Sequence, residues 1–81
     1  AATVAAMSPL EQARELFFAG VAAYEAGRHA EAEQRFVAAL ALVPGRPSVL
    51  VNLAVTRLKL GRAAAAIEAL EQAAAAEPPG A

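Results

Sequence analysis

His29 is the single imidazole of the chain, and it lies in the run AGRHAEAEQRF (residues 26–36) with Arg28, Glu31 and Glu33 close by. An imidazole beside carboxylates is raw material for general acid–base catalysis, or for a metal site if more ligands join it. The spacing supports neither use. Cysteine and aspartate are absent, and no serine stands at a motif spacing from His29. There is no HExxH, no Gly-rich phosphate loop, no paired general acid and base, and no base-stacking platform. The sequence therefore assigns no catalytic residue, no cofactor-binding residue and no metal ligand, and the expectation is a protein that is not an enzyme. His29 reads as a ring at the start of a helix. Glu31 and Glu33 read as a solvated face near that helix N-terminus, where acids are favourable.

Charge offers a second kind of chemistry, recognition. Arg35, Arg46, Arg57, Lys59 and Arg62 fall in residues 35–67, a stretch without a single acid. One reading is local, with Arg57 and Lys59 at a helix C-terminus where cations suit the macrodipole. The other is a basic surface awaiting an acidic partner. The formal net charge of −1 provides no overall field to draw in nucleic acid or an anionic membrane, so neither is expected as a partner. No uncharged apolar run approaches the roughly 18 residues of a membrane span. The opening AATVAAM lacks a basic n-region and a leucine-rich core, so residues 1–8 read as a flexible segment and the location as cytoplasmic.

The elements that carry these residues must be helices. Hydrophobic residues make up 58% of the 81, but more than half of that is alanine, which favours helices that approach closely over a large core. SPLE (residues 8–11) is a capping box, with Pro9 at the first helical position. Leu16, Ala19, Gly20, Ala23 and Ala26 then line one face at helical spacing, and Phe17, Val21 and Tyr24 another. Gly27 ends this first helix (about 9–26). A second helix (about 29–43) has the stripe Ala32, Phe36, Ala39, Leu40 and Val43, until PGRP (44–47) stops it. A third (about 47–60) lines up Leu50, Leu53, Ala54 and Leu58 and stops at Gly61. A fourth (about 62–77) carries Ile67, Leu70, Ala73 and Ala74 inward before PPGA.

This order repeats. Residues 13–44 laid over 47–78 at an offset of 34 pair Leu16 with Leu50, Val21 with Val55, Gly27-Arg28 with Gly61-Arg62, Ala32 with Ala66, Ala39 with Ala73 and Pro44 with Pro78, without a gap. Alanine matches come cheaply in this chain; the Gly-Arg and Pro matches do not, and they fall at the turns. His29 is opposite Ala63, which makes the imidazole dispensable to the unit. A 34-residue helix–turn–helix unit is the period of a tetratricopeptide repeat. The chain resembles that family over about residues 13–80: Gly20 and Ala54 stand at its first small position, Gly27 and Gly61 at its internal turn, Ala32 and Ala66 at the helix crossing, Phe36 and Leu70 at its large position. Leu16 and Leu50 depart from its early tryptophan, and Ala23 and Arg57 from its tyrosine.

The resemblance implies an all-α chain of two tandem helix–turn–helix units, four antiparallel helices in a fragment of an α–α superhelix: repeat 1 over 9–46 and repeat 2 over 47–80. It also implies a protein or peptide partner on the concave side. The groove-facing residues would be Arg14, Phe17, Phe18, Val21 and Tyr24 in repeat 1, with Val51, Asn52, Val55 and Lys59 in repeat 2. Phe17 and Val21 replace the Lys and Asn with which chaperone-binding relatives clamp a terminal carboxylate, so that clamp is not expected; Asn52 matches the asparagine they use against peptide backbone. The Phe17-Phe18 pair is open to two readings, core packing or an aromatic anchor for a partner. Two repeats are fewer than the usual three, and the last helix offers Ile67, Leu70 and Ala74 to a neighbour. Self-association into a homo-oligomer is one alternative; a non-catalytic part of a larger bacterial enzyme, such as a transferase, is another.

Overall fold

A computed structural model describes residues 6–76. Four helices follow one another: α1 Pro9–Glu25, α2 His29–Leu42, α3 Pro47–Lys59 and α4 Ala63–Ala76. No strand occurs among the described residues. Turns of three or four residues leave each helix antiparallel to the last. α1 packs on α2 and α3 on α4, α2 packs on α3 between the two hairpins, and α1 barely touches α3. The result is a slab of 40 × 34 × 16 Å, two helices thick, with no described helix beyond α1 or α4. This is the all-helical, two-unit layout that the 34-residue period implies.

Both hairpins turn by the same device. Gly27 and Gly61 adopt φ of 82° and 76°, a region where a Cβ would be strained. The N–H of Arg28 donates to Ala23 O and that of Gly27 to Tyr24 O, while Arg62 donates to Arg57 O and Gly61 to Leu58 O. Each pair of bonds is a Schellman motif, which satisfies carbonyls that the helix end would otherwise leave open. At the other end of α1, the Glu11 N–H donates to Ser8 Oγ at 3.2 Å. The reciprocal bond differs from a capping box, since the Ser8 hydroxyl itself donates to Glu11 Oε1 at 3.0 Å. Of the segment expected to be flexible, residues 1–5 lie outside the described residues, whereas Met7 O accepts from Gln12 Nε2 at 2.9 Å and Ser8 is the cap. Glu77 and Pro78, assigned to the end of the fourth helix and its stop, lie outside the described residues too.

Phe36 is the pivot of the core, 1% exposed in a cluster that takes in Ala13, Ala23, Ala32 and Ala39 of its own hairpin and Leu50, Leu53 and Ala54 of α3. Its ring sits so close to α1 that a Cβ on Gly20 would come within 2.6 Å of Phe36 Cε1. Glycine at this position is what allows the two helix axes to approach around a large ring.

Three stripes read from the sequence need correction. In α4 the buried residues are Ala66, Ala69 and Ala73, while Ile67, Leu70 and Ala74 point outward. Among the described residues α4 packs chiefly on α3, so only its alanine side is covered. In α3, Leu58 is exposed, while Val49 and Thr56 are buried along with Leu50, Leu53 and Ala54. α3 lies between α2 and α4, so more than one of its sides is enclosed. The Thr56 hydroxyl, fully buried, donates to Asn52 O at 2.8 Å and so leaves no unsatisfied polar group. In α1, Ala26 is exposed because the helix has already ended at Glu25.

Candidate docking surfaces

The bases of the acid-free stretch do not form one surface in the structure. Arg57 and Arg62 converge on Glu33, which is not part of a solvated face, since its side chain is only 15% exposed. Arg57 Nε donates to Glu33 Oε2 at 3.2 Å and its Nη1 donates to Ala65 O at 3.1 Å, while Arg62 Nη1 donates to Glu33 Oε1. One acid on α2 thus holds one arginine of α3 and one of the turn before α4, and Arg57 joins α2, α3 and α4. The corresponding arginine of repeat 1, Arg28, pairs only with exposed Glu31, at 3.4 Å. Sequence reading missed the Glu33 contact because it spans 24 and 29 residues and the α2–α3 packing decides it.

Arg46 lies apart from them. With Arg14 it borders a groove of about 210 Å³ between the first turns of α1 and α3, floored by Ala13, Phe17, Ala39 and Val43. Leu10, Phe18, Ser48 and Val49 complete its walls, and no acid lines it. Neither arginine is in an ion pair among the described residues. Phe17 is partly buried, with its ring centroid 5.8 Å from that of Phe36 and 5.9 Å from that of Phe18. Phe18 stands 57% exposed at the groove edge. The two adjacent rings therefore have different surroundings, one against the core and one in solvent. Arg46 and Leu10 went unassigned as groove residues, Arg46 having been named only in the acid-free basic stretch. The acid-free stretch was the available signal.

The other residues that the resemblance assigns to the concave side are spread along the helices. Val21 and Tyr24 pack partly against the core. Tyr24 meets His29 edge-on with ring centroids 5.1 Å apart, so the imidazole rests on an aromatic ring across the turn. Among the described residues, no three His, Asp or Glu side chains converge as a metal site would require. Val51, Val55 and Lys59 are exposed on α3, and Asn52 Nδ2 donates to Ser48 O of its own helix at 2.7 Å. The groove gathers Arg14, Phe17 and Phe18 and leaves these others along the slab.

A second apolar surface lies on α4, where Ile67 (55% exposed), Leu70 (43%) and Ala74 follow each other at helical spacing. No described helix is long and apolar enough to cross a membrane.

The family model described as tetratricopeptide repeat matches residues 23–81, from the end of α1 onward. No curated protein and no solved structure matches the chain.

Proposed function

Because the chain belongs to the tetratricopeptide repeat family and is thereby a protein–protein interaction module, we propose that its working surface is the groove between α1 and α3, and that its ligand is a peptide or partner helix. The exposed Phe18 ring beside a floor of Phe17, Ala39 and Val43 carries this reading. An apolar side chain of the ligand would enter the groove and lose water against the rings, the kind of anchor that dominates interface energies. Arg14 and Arg46 at the rim would face acidic residues beside that anchor, which speeds encounter and fixes orientation. The chain contributes no catalysis of its own in this reading, and neither nucleic acid nor a lipid surface is its partner.

Selection of peptides from a random display library on the wild-type chain, followed by titration of the best binders, tests the reading. Selected peptides should combine an aromatic or large aliphatic residue with acidic neighbours. Phe18→Ala should weaken them by a factor of about 10 or more, on the order of 2 kcal/mol for a central aromatic anchor. Arg14→Glu should mainly slow association and flatten its salt dependence. Peptides that bind Phe18→Ala as tightly as wild type would remove the groove from consideration. Because Phe18 is largely in solvent, its loss should leave the fold intact.

A further inference from the structure

The α2–α3 contact joins the two hairpins, and it is a template for what the two open ends can do. Moved along by one 34-residue unit, the α2 face of Glu33 and Phe36 becomes the α4 face of Ile67 and Leu70. The position of Thr56 on α3, fully buried, is held on α1 by exposed Ala22, and that of Arg57 by Ala23, which is buried within its own hairpin. Both halves of the polar contact change together. Glu33 is replaced by Ile67, and its partner Arg57 by Ala23. An isoleucine set against an arginine would strip water from a cation and give it nothing in return. Set against α1, whose counterparts of buried Leu50, Leu53 and Thr56 are Leu16, Ala19 and Ala22, it is apolar on apolar.

Shape agrees with this pairing. Ile67 and Leu70 project from α4, and the outer side of α1 carries a concavity of about 510 Å³ that includes Leu16, Ala19 and Met7. Arg35 lines that concavity with Glu15, while Glu68 and Glu71 are exposed on α4. Ala22, whose counterpart Thr56 is completely buried beneath α2, is exposed on α1.

We infer that α4 of one copy docks on the outer face of α1 of a second copy, in the register in which α3 docks on α2 within the chain. Such a contact is head-to-tail. Each added copy leaves a free α1 at one end and a free α4 at the other, so assembly continues past the dimer unless the turn per copy closes a ring. The contact uses neither Phe18 nor Arg14, so it stands or falls apart from peptide binding.

Sedimentation velocity on the 81-residue chain from micromolar to millimolar concentration gives the first test. The mean mass should rise with concentration, through twice the monomer mass and beyond. Leu70→Glu spoils the α4 end and Ala22→Glu the α1 end; both side chains are exposed, and circular dichroism checks that the helices persist. Ile67→Glu is the second variant for the α4 end. Each variant alone should stay monomeric, and a mixture of the two should form a dimer that grows no further, since one good α1 meets one good α4. A chain that remains monomeric at millimolar concentration overturns the inference and favours a further hairpin of a longer chain as the occupant of α4. A dimer that stops at two copies and survives Ala22→Glu also overturns it, in favour of a symmetric α4–α4 pair.

Discussion

Phe36 and Leu70 hold the same position in the two hairpins, yet one is 1% exposed and the other 43%. Their helices begin after equivalent glycine turns and cross their partners on equivalent alanines, Ala32 and Ala66, both fully buried. The difference lies in what comes next. α3 covers the outer side of α2, whereas α4 has no described helix beyond it. The unit's internal geometry is thus local, while burial of its large residue is a property of the stack. Glu33 and Ile67 repeat the lesson in charge. Where α3 is present, the position holds an acid with two arginines; at the open end it holds an exposed isoleucine.

The sharpest way to break this comparison is truncation of both large residues. Phe36→Ala should cost about 3–5 kcal/mol, the usual range for a buried phenylalanine. That approaches the roughly 4–12 kcal/mol available to a chain of this size, so the variant should be largely unfolded at 37 °C. Leu70→Ala should cost less than about 1 kcal/mol, because much of its surface is already in water. Urea denaturation followed by circular dichroism, at a concentration low enough to keep the chain monomeric, reads both. Equal losses would mean that α4 is covered in solution.

The acid pair gives the next largest contrast. Glu33→Ala leaves Arg57, only 21% exposed, without its acid between three helices, and should cost about 2 kcal/mol. Glu31→Ala removes the exposed pair with Arg28 and should cost under about 0.5 kcal/mol. Added salt should shrink the second difference more than the first, since a partly buried pair is less screened. Similar costs for the two would place Glu33 in solvent.

Features set within a single hairpin were legible from the chain itself. The glycine turns, the proline starts of α1 and α3 and the small crossing residues each follow from backbone sterics within a few positions, and the period made each one visible twice. Features set between hairpins were not. The stripe of α4 was misread because Ile67 and Leu70 look like core at helical spacing, while the side that packs is alanine. Thr56 and Val49 were missed because a helix enclosed from two directions buries positions that a single-stripe reading leaves out. The same limit applies to the groove. Phe17 and Phe18 could be placed side by side from their order, but which ring turned inward depended on Phe36 from another helix. Arg46 joined Arg14 only when the α2–α3 turn brought the two first turns together.

A smaller contrast tests the comparison at the point where the two hairpins solve one packing problem differently. Repeat 1 pairs Gly20 with Phe36, and repeat 2 pairs Ala54 with Leu70 at the same positions. A methyl on Gly20 would meet the Phe36 ring at 2.6 to 3.0 Å, and the ring is enclosed. Overpacking of that kind costs about 1–3 kcal/mol, against which alanine recovers about 1 kcal/mol of helix propensity. Gly20→Ala should therefore destabilise by about 1 kcal/mol net despite being a helix-favouring change. Phe36→Leu alone should also cost about 1 kcal/mol, from the volume it vacates. Together they install the repeat 2 pair in repeat 1, and the methyl then occupies space that the ring has left. The double variant should be more stable than the sum of the single losses predicts, by about 1 kcal/mol of coupling in a double-mutant cycle. If the losses simply add, the glycine answers to something other than the ring, and the two small-and-large pairs are not alternative solutions to one crossing.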